Sequence, residues 1–220
     1  MIDPIIFSVD IGSLTLTLRW YGVLVMTGLL VGAYVADREI TYRGGNSETL
    51  WDALLWIAPA GVIGARLWYV LNDILGGGTY FLDDPVRILL INQGGLHIYG
   101  AVVAGLIAAY FYLKRVGMDF LLFLDSVAPG MLIGQAIGRI ANFINQELYG
   151  QPTDLPWVIP ISAEHRIPPW NNLSQYPESS TRFHPTFAYE IIWNMLGANL
   201  LIYLSRRYNE QIKPGVIFAG

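Results

Sequence analysis

The sequence predicts an all-α fold, a polytopic membrane helix bundle, on three observations. Of 220 residues, 54% are hydrophobic and 14% charged, which leaves more apolar surface than one soluble core of ordinary proportions can hide. Five apolar segments approach or reach the roughly 20 residues that cross the hydrocarbon of a bilayer. The short connections between them are basic in alternation, as in a chain threaded through a membrane.

The first segment, residues 20–36, is opened by Arg19-Trp20-Tyr21-Gly22. Asp3 and Asp10 lie ahead of it and no Lys or Arg stands before Arg19, whereas a removable leader needs a basic start, so this span is expected to be retained. The second, residues 51–71, carries Arg66 well inside it. The third, residues 98–113, is entered through Gln93-Gly94-Gly95-Leu96-His97-Ile98-Tyr99-Gly100-Ala101. The fourth, residues 120–137, runs into Gly138-Arg139-Ile140-Ala141-Asn142-Phe143-Ile144-Asn145-Gln146-Glu147-Leu148-Tyr149-Gly150. The fifth, residues 187–204, follows His184-Pro185-Thr186. A sixth starts at residues 215–220 and is expected to be cut off by the end of the chain. One membrane domain, 1–220, holds all of them. Within it residues 146–186, rich in Pro, Asn and Ser, form an external soluble excursion too long for a connector.

One set of connections holds Arg38 and Arg43, then Lys114 and Arg115, then Arg206, Arg207 and Lys213. That set should face the cytoplasm, with the N-terminus and the excursion outside. Gly28 and Gly32, and likewise Gly130, Gly134 and Gly138, repeat at a spacing that lets helix backbones approach closely, and plain packing is the better reading of them. A net charge of -4 argues against nucleic acid as a partner, because phosphate backbones need a basic face. Zero cysteines remove thiolate nucleophiles and thiolate metal sites. No compact set of His and carboxylates stands out either, so neither metal nor other cofactor is expected.

Arg139 is the residue that demands a reason. An arginine at mid-bilayer costs roughly 2.5 to 3.5 kcal/mol on insertion scales, so such residues line wet cavities or bind anions. If the fourth span stays helical, Gln135, Arg139, Asn142 and Gln146 share one face. A guanidinium flanked by amides suits phosphate or carboxylate; an arginine snorkelling to the interface is the alternative. At the entry to the third span, Gly94 and Gly95 let backbone approach a ligand, and His97 and Tyr99 could each accept a proton or simply anchor the interface. His184 reads as a helix cap before Pro185, and Glu190, a turn into apolar sequence, needs a partner, an arginine for instance. Arg66 could join Arg139 in an anion pocket or neutralise Glu190 or another carboxylate.

Taken together and in this order, the blocks 19–22, 94–100, 138–150 and 184–190 resemble those of bacterial prolipoprotein diacylglyceryl transferases, and the likeness runs through essentially the whole chain. It implies a seven-span enzyme of the bacterial inner membrane with its N-terminus outside. Such enzymes move the diacylglyceryl group of phosphatidylglycerol onto the lipobox cysteine thiol of a preprolipoprotein signal peptide, releasing glycerol phosphate. By position Arg139 looks like the signature arginine that holds the lipid phosphate, with Asn142, Asn145, Glu147 and Gly150 as motif companions. Tyr21 matches an essential tyrosine; Gly94, Gly95 and Gly100 match the second block, and His184, Tyr189 and Glu190 the last. Tyr99 stands where some members have a histidine proposed as the base, with His97 two residues away. The resemblance therefore makes Arg139, Tyr99, His97 and Tyr21 the catalytic candidates. Arg66 joins the motif residues as a candidate for binding substrate. The family's last span carries a further catalytic arginine, which this chain is expected to stop short of. A transporter or channel for an anionic solute would use the same arginines and is the rival reading.

Overall fold

The computed structural model of the protein describes residues 2–12, 14–91, 94–208 and 211–219. Gln93 and Gly220, both within segments singled out above, lie outside the described residues. All five expected spans form helices long and apolar enough to cross a membrane. They are α1 (Trp20–Tyr42), α2 (Glu48–Leu75), α4 (Ile98–Val116), α5 (Phe120–Asn145) and α6 (Thr186–Arg207). A short helix, α3 (Tyr80–Asp83), and a 3-10 turn over Pro85–Leu89 separate α2 from α4, and a single turn, α7 (Val216–Ala219), follows α6.

Before α1 the chain folds as an antiparallel hairpin of β1 (Ile5–Ile11) and β2 (Leu14–Arg19). Sequence reading assigned nothing there, although apolar and polar residues alternate over 7–10 and 15–19. Phe7 pairs with Leu18 and Val9 with Leu16, while Ser8 pairs with Thr17 and Asp10 with Thr15. Because successive side chains point to opposite faces, one face is apolar. The other is polar, knitted by a Ser8–Thr17 hydroxyl contact of 3.1 Å and a Thr15 hydroxyl donating to Asp10 at 2.7 Å.

Contacts group the described chain into two compact units, residues 1–36 with 126–220, and residues 37–125. In the first, α1 and α5 meet backbone to backbone. A Cβ added to Gly28 would stand 2.6 Å from the carbonyl oxygen of Gly134, and one added to Gly32 would stand 2.6 Å from that of Gly130. Apolar side chains gain little by leaving lipid for each other, so close backbone approach of this kind is what holds such helices. Gly138, of the same repeat, faces open space instead. In the second unit α2 and α4 use the same device: a Cβ on Gly100 would lie 2.1 Å from the Gly64 oxygen.

Helix α5 starts where the Asp119 carboxylate accepts the Leu122 N–H at 2.8 Å, a side-chain cap. It stops at Asn145 because Gln146 (φ 55°) and Leu148 (φ 53°) turn left-handed, a conformation that side chains with a Cβ adopt only under local constraint. The excursion that follows is folded on itself. Arg166, buried, donates to the carbonyls of Ile161 at 2.9 Å and Tyr176 at 2.8 Å, with its guanidinium 5.0 Å from the centre of the buried Phe183 ring. Phe183 forms bridges with Pro152 and Ile159. The Tyr149 hydroxyl accepts the Ile167 N–H at 2.7 Å and donates to the His165 carbonyl at 3.2 Å.

Replacing Gly134 by Ala should force α1 and α5 apart and cost about 1 to 3 kcal/mol. Gly138→Ala, one helical turn on, should leave thermal unfolding in detergent unchanged.

Candidate functional site

The polar residues at the end of α5 form a continuous chain of contacts. Arg139 Nη2 meets Glu190 of α6 at 2.5 Å, and its Nη1 donates to Asn142 Oδ1 at 3.3 Å. The Asn142 amide nitrogen in turn donates to Glu147 at 2.9 Å, and Asn145 donates to the same carboxylate oxygen at 3.2 Å. Arginine and carboxylate are drawn together here because neither is tolerated alone among apolar neighbours. Both ends of the Asn142 amide are engaged, so its orientation is set.

The guanidinium is nonetheless reachable: side-chain exposure is 24% for Arg139 and 44% for Glu190. Its Nε is buried without a hydrogen-bond partner among the described residues, and the neighbouring Gly138 contributes no side chain to fill the space beside it. An anchored cation with open surface and adjacent amides can receive a phosphate oxygen in place of the Glu190 carboxylate. Glu190 thus has the arginine partner that its sequence position called for, and that partner is Arg139.

Gln146 departs from the expected donor face. Since α5 ends one residue earlier, Gln146 turns into the excursion and accepts the Ser162 N–H at 2.8 Å. Gln135 stays on α5 and is exposed. Gly150 is held by its N–H donating to the His184 carbonyl at 2.9 Å, and a Cβ there would lie 2.9 Å from side-chain atoms of both His184 and Thr186. The Thr186 hydroxyl donates to the carbonyl of Leu148. Gly150 is therefore a packing requirement between the motif and the start of α6.

His184 is not the cap of α6; Pro185 occupies that position and no side chain caps the helix. The His184 Nδ1 instead sits 2.9 Å from the Tyr189 hydroxyl, which also accepts the Trp157 indole N–H at 2.8 Å. This Trp157–Tyr189–His184 link ties the excursion to the turn of α6 that carries Glu190. Its signal in the sequence was the Tyr189-Glu190 pair; Trp157 gave none.

The second unit holds Arg66, Gly94, Gly95, His97, Tyr99 and Gly100. Arg66 is buried, and its partners are five backbone carbonyls: Ile88 at 2.9 Å, Gly94 at 2.7 Å, Gly95 at 3.0 Å, Arg87 at 2.5 Å and Leu90 at 3.4 Å. The ring of Phe81 lies 5.2 Å from its guanidinium carbon. This corrects both sequence readings of Arg66, because its donors are taken up by carbonyls and, among the described residues, no carboxylate is paired with it. It also explains the glycine pair. Both have positive φ, and a Cβ on Gly95 would lie 2.4 Å from Arg66 Nη1 and 2.8 Å from Tyr69; the backbone approaches an arginine, not a ligand.

His97, extended at the N-cap of α4, donates its backbone N–H to the Ala65 carbonyl at 3.0 Å, while its Nδ1 is buried without a hydrogen-bond partner among the described residues. Because it precedes the helix, its ring comes within 5.2 Å of that of Tyr99, centre to centre. Tyr99 is exposed in the first turn of α4, and Tyr21 is exposed in the first turn of α1.

The family model for prolipoprotein diacylglyceryl transferase matches residues 4–220. Among curated proteins, the phosphatidylglycerol–prolipoprotein diacylglyceryl transferase of Chloroflexus aggregans is 38% identical over 96% of this chain and 68% of its own length. The protein of that name from Paenarthrobacter aurescens is 38% identical over 99% of this chain and 67% of its own length. The one from Corynebacterium diphtheriae is 40% identical over 92% of this chain and 71% of its own. The chain thus spans about two thirds of the length of these relatives.

Arg66→Lys keeps the charge but not the planar fork. With hydrogen bonds to charged groups contributing roughly 1.5 to 3 kcal/mol each, it should lower the thermal midpoint in detergent and open residues 87–95 to limited proteolysis.

Proposed function

The chain belongs to the prolipoprotein diacylglyceryl transferase family, and from that premise we propose how it works. It is an integral membrane enzyme that transfers the diacylglyceryl group of phosphatidylglycerol to a prolipoprotein. The acceptor is the lipobox cysteine thiol of the signal peptide, and glycerol phosphate is released. The protein lies in the bacterial inner membrane, N-terminus and residues 146–186 outside. The basic connections at Arg38 and Arg43, Lys114 and Arg115, and Arg206 and Arg207 favour that orientation.

The observation that carries the mechanism is Arg139: anchored by Asn142 and Glu190, yet about a quarter exposed. The lipid phosphate exchanges with the Glu190 carboxylate on the guanidinium. As the thiolate sulfur attacks the glyceryl carbon, a C–S bond forms and the C–O bond to phosphate breaks. The charge that develops on the leaving glycerol phosphate is met by a cation already in position, the usual source of large electrostatic rate effects. The thiol proton passes to a base, for which the family resemblance offers His97 and Tyr99 as candidates. Tyr21 takes part in catalysis at the start of α1, its role carried by the family resemblance. Asn142, Asn145 and Glu147 keep Arg139 oriented, and His184 with Tyr189 steadies the turn that bears Glu190. The nucleophile belongs to the substrate, which accounts for an enzyme of this chemistry without a cysteine of its own.

Incubated with phosphatidylglycerol and a lipobox peptide, the protein should raise the peptide mass by one diacylglyceryl unit. Arg139→Ala should cut kcat/KM about 100- to 1000-fold, the loss typical of one electrostatic donor. Arg139→Lys should fall well short of full activity, because an ammonium cannot contact phosphate and Asn142 in one plane. Near-normal transfer by Arg139→Ala would defeat the assignment.

A further inference from the structure

Arg139 and Glu190 are one layer of a longer contact between α5 and α6. On one side of them the ring of Phe143 lies 5.6 Å from that of Phe187, centre to centre. On the other, a Cβ on Gly197 would stand 3.3 Å from Leu132 Cδ1. Leu132 is about two turns back along α5 from Arg139, and Gly197 about two turns on along α6 from Glu190. The helices therefore run antiparallel in a single register, which sets Gln135 opposite Asn194, one turn further into apolar sequence than the ion pair.

Asn194 is buried, at 6% exposure, and its Nδ2 has no hydrogen-bond partner among the described residues. Arg139 Nε shares that condition. Helical side chains lean toward the N-terminus of their own helix. Because the two helices are antiparallel, Arg139 leans toward the level of Gln135 while Asn194 leans back toward that of Glu190. Two buried donors thus converge, and neither is matched. An unmatched buried donor is costly, so the pair marks a place for an acceptor oxygen. Gln135, at the same level, is exposed and offers a further amide on the open side of the contact.

Chemistry narrows the acceptor. The Nη atoms of Arg139, which face Glu190 and Asn142, are the donors for an anion, whereas an amide among apolar neighbours suits an uncharged oxygen. In a phospholipid whose phosphate sits on Arg139, the acyl ester carbonyls are the next acceptors along the molecule toward its hydrocarbon.

We propose that Asn194 and Gln135 form a subsite for an acyl ester carbonyl of the diacylglyceryl group. The assignment rests on the transferase reading above and deepens it: the group that is transferred is gripped separately from the phosphate that leaves.

The test compares diester phosphatidylglycerol with its diether counterpart, which lacks both carbonyls but keeps the glyceryl–phosphate bond that breaks, each in the same mixed micelles with a lipobox peptide. The parent protein should favour the diester in kcat/KM about tenfold, the scale of one buried donor left without its partner. Asn194→Leu should bring that ratio to about one. Gln135→Leu, at an exposed and so tolerant position, should lower it about threefold. Equal use of the two lipids by the parent overturns the proposal. So does a ratio that survives Asn194→Leu, which would leave Asn194 as interhelical glue only, or one that Gln135→Leu does not move. Should Asn194→Leu fail to fold, the parent's ratio and its decline in Gln135→Leu decide. Transfer from neither lipid would sink the transferase reading itself, a distinct result.

Discussion

The contact between Arg139 and Glu190 is the constraint from which the rest of the first unit follows. A lone cation in an apolar helix is expensive, and so is a lone carboxylate. Placing one on α5 and the other on α6 makes each the remedy for the other. The two helices can then meet in only one register near this end. Asn142 and Glu147 extend the contact along α5, and Tyr189, next to Glu190, carries it outward to Trp157 and the excursion. The polar network thus positions a charged side chain at an accessible place while leaving few buried polar atoms in its core unmatched.

The two units solve a shared problem with different arginines. Arg139 is held by side chains, and its partner can be exchanged for another anion. Arg66 is held by five main-chain carbonyls. Similar residues in similar apolar sequence therefore differ in kind, one suited to binding and the other to bracing the loop before α4.

All five spans were legible from apolar length alone, and the Arg139 motif from the oddity of charge and amides following such a run. The glycine contacts were legible as a spacing, though not that Gly138 would face open space while Gly134 touches α1. The hairpin before α1 was missed because membrane-scale windows look for 20-residue runs, and alternating strands of six or seven residues fall below them. Arg66 was misread for a plainer reason: its partners are main-chain carbonyls, and any residue supplies those, so no pattern of side chains announces them. His97 and Tyr99 come together because His97 is extended, a backbone fact that helical spacing could not give. The Trp157 link and the Gln146 turn likewise depend on how the excursion folds, which its proline-rich composition left open.

Helices α1 and α5 touch through carbonyl oxygens seated against α-carbons, with no side chain between them to yield. Such a seam behaves as a hard stop: it cannot breathe by switching rotamers, and sliding would drive atoms into one another. Any opening that admits a bulky lipid or lets product depart must therefore arise elsewhere than at this seam. The rigidity of this seam rests on the absence of a single carbon at each glycine.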